Sequence, residues 1–214
     1  MDNAFAAFGT EFRRVENRDH LGKPAIVGVA IRIYDTTVED LWDAVTTPER
    51  LVRWFLPVEG DLKLGGKYQI KGNAGGTITR CDPPKALDLT WEFGGAMSWV
   101  NLRLTPEGKK ARLTLEHIAH KEGVGVEHFN KFGPGATGIG WDLALDSGLA
   151  RHVGNPGVAL DPKAAEAWTL SAEGKAFVRK CGEAWAEAYI ASGANPEEAR
   201  AQAERTIAFY TGAS

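Results

Sequence analysis

From Val58 to Ile118 apolar side chains recur at every second position and are interrupted at short intervals by residues that turn a chain. Tyr68 and Ile70 alternate, Leu87, Leu89, Trp91 and Phe93 form a row, and Val100, Leu102 and Leu104 then Leu113, Leu115 and His117 form two more. The interruptions fall at Leu64-Gly65-Gly66, between Asn73 and Gly76, at Asp82-Pro83-Pro84 and at Thr105-Pro106-Glu107-Gly108. Period two sends successive side chains to opposite faces of a strand, so each row reads as one buried face. Short turns between rows make neighbouring strands antiparallel, and proline marks where the ladder must end. A meander of this many strands curls rather than lying flat. Its concave apolar face then requires a cover, and that requirement governs the reading of the rest.

The best cover is a helix predicted from about Ile139 to His152, with Trp141, Leu145 and Leu149 at i, i+4 and i+8. Ala144 and Gly148 beside that stripe permit close approach to the sheet. Asp142 is expected near the helix start in solvent, where the dipole favours an acid. Ahead of the meander, Val27, Val29, Ile31 and Ile33 predict a strand that buries its odd positions and exposes Gly28, Ala30 and Arg32 on the other face. Two short helices follow. Thr36 with Glu39 fits a capping box before Val38, Leu41, Trp42 and Val45, and Thr47-Pro48 opens the second, which carries Leu51, Trp54 and Phe55. The expected organisation is an N-terminal arm over 1–24, an α+β helix-grip domain over 25–152, and a helical extension over 153–214 packed on it. Within the extension, residues 154–170 read as a connector. Helices then start at Ser171, with Phe177, Cys181 and Trp185 on a stripe, and at Asn195-Pro196-Glu197-Glu198. That stripe suits packing on the chain's own body, or a homodimer surface.

Charge and cysteine usage remove several function classes. A net charge of -3, with basic residues scattered, leaves no footprint for nucleic acid or an anionic membrane. Cys81 and Cys181 stand a hundred positions apart without a CxxC, which suggests thiols in a reducing compartment, and a cytoplasmic location is expected. His117, His120 and His128 do not converge as metal ligands and no paired acid joins them, so no metal and no cofactor is expected. Gly65-Gly66 and Gly75-Gly76 lack the ending of a phosphate loop, and no GxSxG elbow is present.

The chain resembles the activator-of-Hsp90-ATPase-homologue branch of the START-like (Bet v 1-like, SRPBCC) superfamily. The resemblance rests on Thr37-Val38-Glu39-Asp40-Leu41-Trp42-Asp43-Ala44-Val45, Thr47-Pro48-Glu49-Arg50-Leu51 through Trp54-Phe55, and Asp61-Leu62-Lys63-Leu64-Gly65-Gly66-Lys67-Tyr68. It continues with Asp82-Pro83-Pro84 leading to Leu89-Thr90-Trp91, then Leu113-Thr114-Leu115-Glu116-His117, and Gly140-Trp141. These stretches run in the family's order across roughly residues 25–152. The resemblance implies a helix-grip fold with a cavity between sheet and long helix, and members that bind lipids, hormones or polyketides, some of them cyclases. The co-chaperone activity in the family's name belongs to relatives whose stimulating region lies largely in a separate N-terminal domain. Residues 1–24 are too short to be that domain, so a chaperone partner is an expectation without support in the residues.

The candidate cavity lining is Trp54, Phe55, Tyr68, Ile70, Leu89, Trp91, Phe93, Leu102, His117, Trp141, Leu145 and Leu149, an apolar set with few polar groups. The same residues could instead fill a solid core. His117 reads either as a polar anchor in a cavity or as a histidine satisfied at its rim. Asp88 and Glu92 fall on the opposite strand face. The leading expectation is a non-catalytic carrier or sensor of a small apolar molecule. The alternatives are a cyclase or dehydrase, for which His117 and Tyr68 would be the groups, and a module that modulates an ATPase.

Overall fold

Every strand that the alternation marks is present in the computed structural model, which describes residues 12–157, 159 and 161–213. β1 (Phe12–His20) and β2 (Lys23–Tyr34) lead into α1 (Val38–Thr46) and α2 (Pro48–Leu51). Next come β3 (Val58–Gly60), β4 (Lys67–Ile70), β5 (Gly75–Asp82), β6 (Ala86–Phe93), β7 (Ala96–Glu107) and β8 (Lys110–His120). The eight strands form one sheet in the order β1-β2-β8-β7-β6-β5-β4-β3, each pairing antiparallel. β2 beside β8 is the long-range pairing that turns the meander into a wrap. Its register sets Gly28 opposite His117, Ala30 opposite Leu115 and Arg32 opposite Leu113.

The arm expected over residues 1–24 is in part an edge strand. Phe12–His20 pairs along its whole length with β2 through a tight turn at Leu21-Gly22, both at positive φ, while residues 1–11 lie outside the described residues. The face assignment of β2 also needs correction. Ile26, Ala30 and Tyr34 belong to the main core, whereas Val27 and Val29 join Ala25 and Ile118 in a smaller cluster on the convex side. Both faces of this strand are buried, so alternation alone could not say which one meets the helix.

The covering helix is longer and less regular than a single α-helix. α3 (Val126–Phe132) and α4 (Gly135–Asp142) precede a π-helical stretch, Leu143–Leu149, that runs on into α5 (Ala150–Gly154). In that stretch the backbone bonds reach five residues back, as from the Ala150 N–H to the Leu145 carbonyl, which also accepts from the Tyr34 hydroxyl at 3.1 Å. Gly148 serves the end of α2 rather than the sheet, since a Cβ there would lie 2.4 Å from the Trp54 carbonyl oxygen. The expected connector contains a further helix, α6 (Pro162–Leu170), capped by Asp161. α7 (Ala172–Ala191) and α8 (Pro196–Thr211) start at their predicted caps, Ser171 and Asn195.

α7 completes the core rather than decorating it. Phe177, Cys181 and Trp185 are buried in the main cluster, and the Trp185 ring lies over Gly28 of β2 and Gly138 of α4. Asp142, expected in solvent, is fully buried there. Its carboxylate accepts from Arg13 Nε at 2.9 Å, from Arg32 Nη2 at 2.6 Å and from the Trp185 indole N–H at 2.9 Å. Asp146, one turn on, binds Arg32 through both its Nε and its Nη2. Arg13 from the edge strand β1 and Arg32 from its neighbour β2 thus face two acids from the covering helix in a buried, charge-balanced quartet. Charges out of water persist only when paired in this way.

Candidate ligand cavity

The concave face does not pack solid against its cover. A partly open cavity of about 280 Å³ lies between β4–β8, α1, the α2 end and the covering helix. The sheet supplies Tyr68, Ile70, Leu89, Trp91 and Leu102, and the helix supplies Trp141 and Leu145. Trp54 and Phe55 close it from the α2 side. These nine were foreseen in the lining, and the structure brings them together.

Three expected members lie elsewhere. Phe93 continues the row of Leu89 and Trp91 but stands 59% exposed at the tip of the β6–β7 hairpin, where strand alternation outlasts the cover. Leu149 is fully buried in close packing beyond the cavity's end. His117 is not among the lining residues and meets the cavity through Trp141, to which it is hydrogen-bonded. Conversely, Trp42, Val45 and Leu51 of the two short helices do line the cavity. Their amphipathic spacing was visible, but what the face rested on was not. Leu113 and Leu115 of β8, Ile78, and Cys81 with Pro83 near the β5–β6 turn also line it.

Aromatic rings meet in a connected group. Phe55 and Trp141 lie nearly parallel with centroids 6.4 Å apart, Trp91 tilts against Trp141 at 5.2 Å, and Trp54 meets Phe55 at 5.4 Å. Their polar handles are largely occupied. The Trp54 indole N–H donates to the Ala44 carbonyl at 2.9 Å, and the Tyr68 hydroxyl donates to the Thr90 carbonyl at 2.7 Å. Burial, with Glu92 adding to it, raises the Tyr68 hydroxyl above its ordinary value. The Trp141 indole N–H donates to His117 Nδ1 at 3.0 Å.

That last bond fixes the state of His117. An indole nitrogen only donates, so Nδ1 must be bare and the imidazole proton must sit on Nε2. Nε2 then donates to Ser98 Oγ at 2.9 Å, and the Ser98 hydroxyl donates to the Trp91 carbonyl at 3.1 Å. Burial pushes the His117 imidazole down to about 4, so it is neutral near pH 7. Neither Tyr68 nor His117 retains a poised proton: one hydroxyl is spent on backbone, and both imidazole nitrogens are engaged. The arrangement can enclose an apolar body; among the described residues the lining holds no carboxylate, imidazole or amine, and Cys81 is its one thiol.

Among the described residues no three His, Cys, Asp or Glu side chains group as a metal site, and no helix is long and apolar enough to cross a membrane.

Comparison with known proteins places this geometry. A family model described as Activator of Hsp90 ATPase homolog 1-like protein matches residues 35–154. The solution structure of CalU16 from Micromonospora echinospora is 32% identical, spans 87% of this chain and all of its own, and superposes with a TM-score of 0.69. Its crystal structure gives 31% identity over 84% of this chain and 98% of that one, with a TM-score of 0.65. Protein MLL2253 from Mesorhizobium loti, at 18% identity over 61% of this chain and 98% of its own and a TM-score of 0.51, shares the fold. No curated protein matches the chain.

Proposed function

The chain belongs to the activator of Hsp90 ATPase homolog 1-like branch of the START-like superfamily, and from that premise we propose that it is a carrier or sensor that binds a small apolar molecule between its curved sheet and its covering helix. One observation carries the reading: the helix-grip core is left with about 280 Å³ of space whose walls are predominantly apolar. A core of this size with so many large side chains could close on itself, and natural interiors leave few voids larger than a water. An apolar cavity of about 150 Å³ holds benzene. The space here is nearly twice that, which suits a molecule of about two fused rings or an equivalent branched hydrocarbon. Such a ligand would gain roughly 25 cal/mol for each Å² of apolar surface it hides.

The polar geometry weighs against an enzyme. A cyclase or dehydrase needs a proton acceptor or donor facing the substrate, and the two groups that could serve are committed to Trp141, Ser98 and the Thr90 carbonyl.

Thermal unfolding against a panel of neutral bicyclic compounds tests the proposal. At a hundredfold excess over its dissociation constant a true ligand stabilises by about 2.7 kcal/mol, which for a domain this long raises Tm by roughly 5–10 °C. Native mass spectrometry should find the same compound retained at one per chain. A panel that leaves Tm unmoved, with no adduct in the spectrometer, would end the reading.

A further inference from the structure

His117 does not touch the cavity, yet both of its ring nitrogens act on residues that do. Nδ1 accepts a hydrogen bond from the Trp141 indole N–H and Nε2, through Ser98, ties the strand at the Trp91 carbonyl. The imidazole also lies edge-on to both tryptophan rings, with centroids 6.0 Å from each. Trp141 lines the cavity while its bonded partner is not among the lining residues, so the indole N–H points out of the enclosure.

A part-buried hydrogen-bonded pair of this kind adds little net stability, because apolar groups of the same shape would pack there almost as well. What the pair does, and an apolar pair could not, is fix the direction of one strong donor. We infer that His117 is the specificity-determining residue of the cavity: by holding the Trp141 indole N–H away from the enclosed space, it makes the site discriminate against ligands that carry a hydrogen-bond acceptor. This rests on the reading that the cavity binds an apolar molecule. A ligand with a ring nitrogen or a carbonyl would bury that acceptor with no donor from Trp141, which costs affinity. A hydrocarbon of the same shape has nothing to lose. With the imidazole removed, the part-buried indole N–H loses its partner, and an acceptor on a ligand in the cavity can replace it.

Naphthalene and quinoline isolate the effect, since they share one shape and differ by a single ring nitrogen. Their dissociation constants are measured at neutral pH for the wild type, His117→Phe and His117→Asn. The phenylalanine ring fills the imidazole's space without an acceptor, while the asparagine oxygen can stand where Nδ1 stood. The preference for naphthalene should fall roughly three- to tenfold in His117→Phe, the range of one modest hydrogen bond, and stay at the wild-type value in His117→Asn. His117→Leu carries the same expectation should the phenylalanine variant fail to fold. In the wild type, the Trp141 indole ¹H–¹⁵N signal, assigned by its loss in Trp141→Phe, should take the same position with quinoline bound as with naphthalene bound. A preference that is equal in wild type and His117→Phe, a fall of the same size in His117→Asn, or a wild-type indole signal displaced downfield with quinoline relative to naphthalene would each overturn the inference while leaving the binding reading intact. If the wild type binds neither compound, the binding reading itself fails and this one with it.

Discussion

Acid should weaken this fold through His117 in a way that one substitution can expose. The imidazole is held at about 4 in the folded chain by burial, against 6.5 for an ordinary histidine. No ionisable side chain contributes to that displacement, and the groups it meets, Trp141, Ser98 and Trp91, are all neutral. Between those two values the unfolded chain binds a proton that the folded chain refuses. Stability therefore falls as pH is lowered through 6.5, stops falling on this account near 4 where both forms are protonated, and is untouched above 6.5. At about 1.4 kcal/mol for each tenfold difference in proton affinity, the whole window is worth about 3 kcal/mol, of which about 2 is gone by pH 5. His20 and His152 are also lowered by burial and act in the same direction, so the wild-type curve alone cannot isolate one residue. The difference between wild type and His117→Asn does. Urea unfolding at intervals from pH 8 to pH 5 should give curves that converge toward acid, the variant losing about 2 kcal/mol less than the wild type. Parallel curves would refute the assignment of a buried neutral imidazole at this position.

The buried ion pairs and the two thiols each set a further expected outcome. Asp142→Asn leaves Arg13 and Arg32 sharing one buried carboxylate, and should cost about 3–5 kcal/mol in urea unfolding. Adding Arg32→Met should recover part of that loss, because it removes one of the stranded charges, and a purely additive double variant would argue against the pairing. Cys81 lies on the cavity wall while Cys181 is fully buried with its thiol raised by burial. A small maleimide should therefore attach once, at Cys81, and more slowly when naphthalene is present; modification of Cys181 in the folded chain would contradict the packing of α7.

The strand rows and the helix caps were readable because each depends on near neighbours. Alternation at Leu87, Leu89 and Trp91 needs only the pleat, and Ser171 and Asn195 need only the next turn. What escaped depended on residues far along the chain. Arg32 looked like an outward polar position on β2, and Asp142 looked like a solvated acid, because each becomes buried only with the other as its partner 110 residues away. Residues 12–20 carry too many charges to resemble a strand, and they pair because β2 offers an edge. Phe93 has the right parity and the wrong reach, since the hairpin runs past the cover. The π-helical stretch had no signal in composition, and the role of Trp42 appeared only once α1 was seen to face a space.

The claim on which the rest stands is that an apolar guest sits inside the grip. Isotope-filtered nuclear Overhauser spectroscopy on protein with labelled methyl groups, in the presence of naphthalene, tests it most directly. Contacts should appear to the methyls of Ile70 and Leu102 from the sheet and Leu145 from the covering helix, all of which line the cavity. Contacts confined to exposed side chains such as Leu64, or to none at all, would mean that the space between sheet and helix takes no guest.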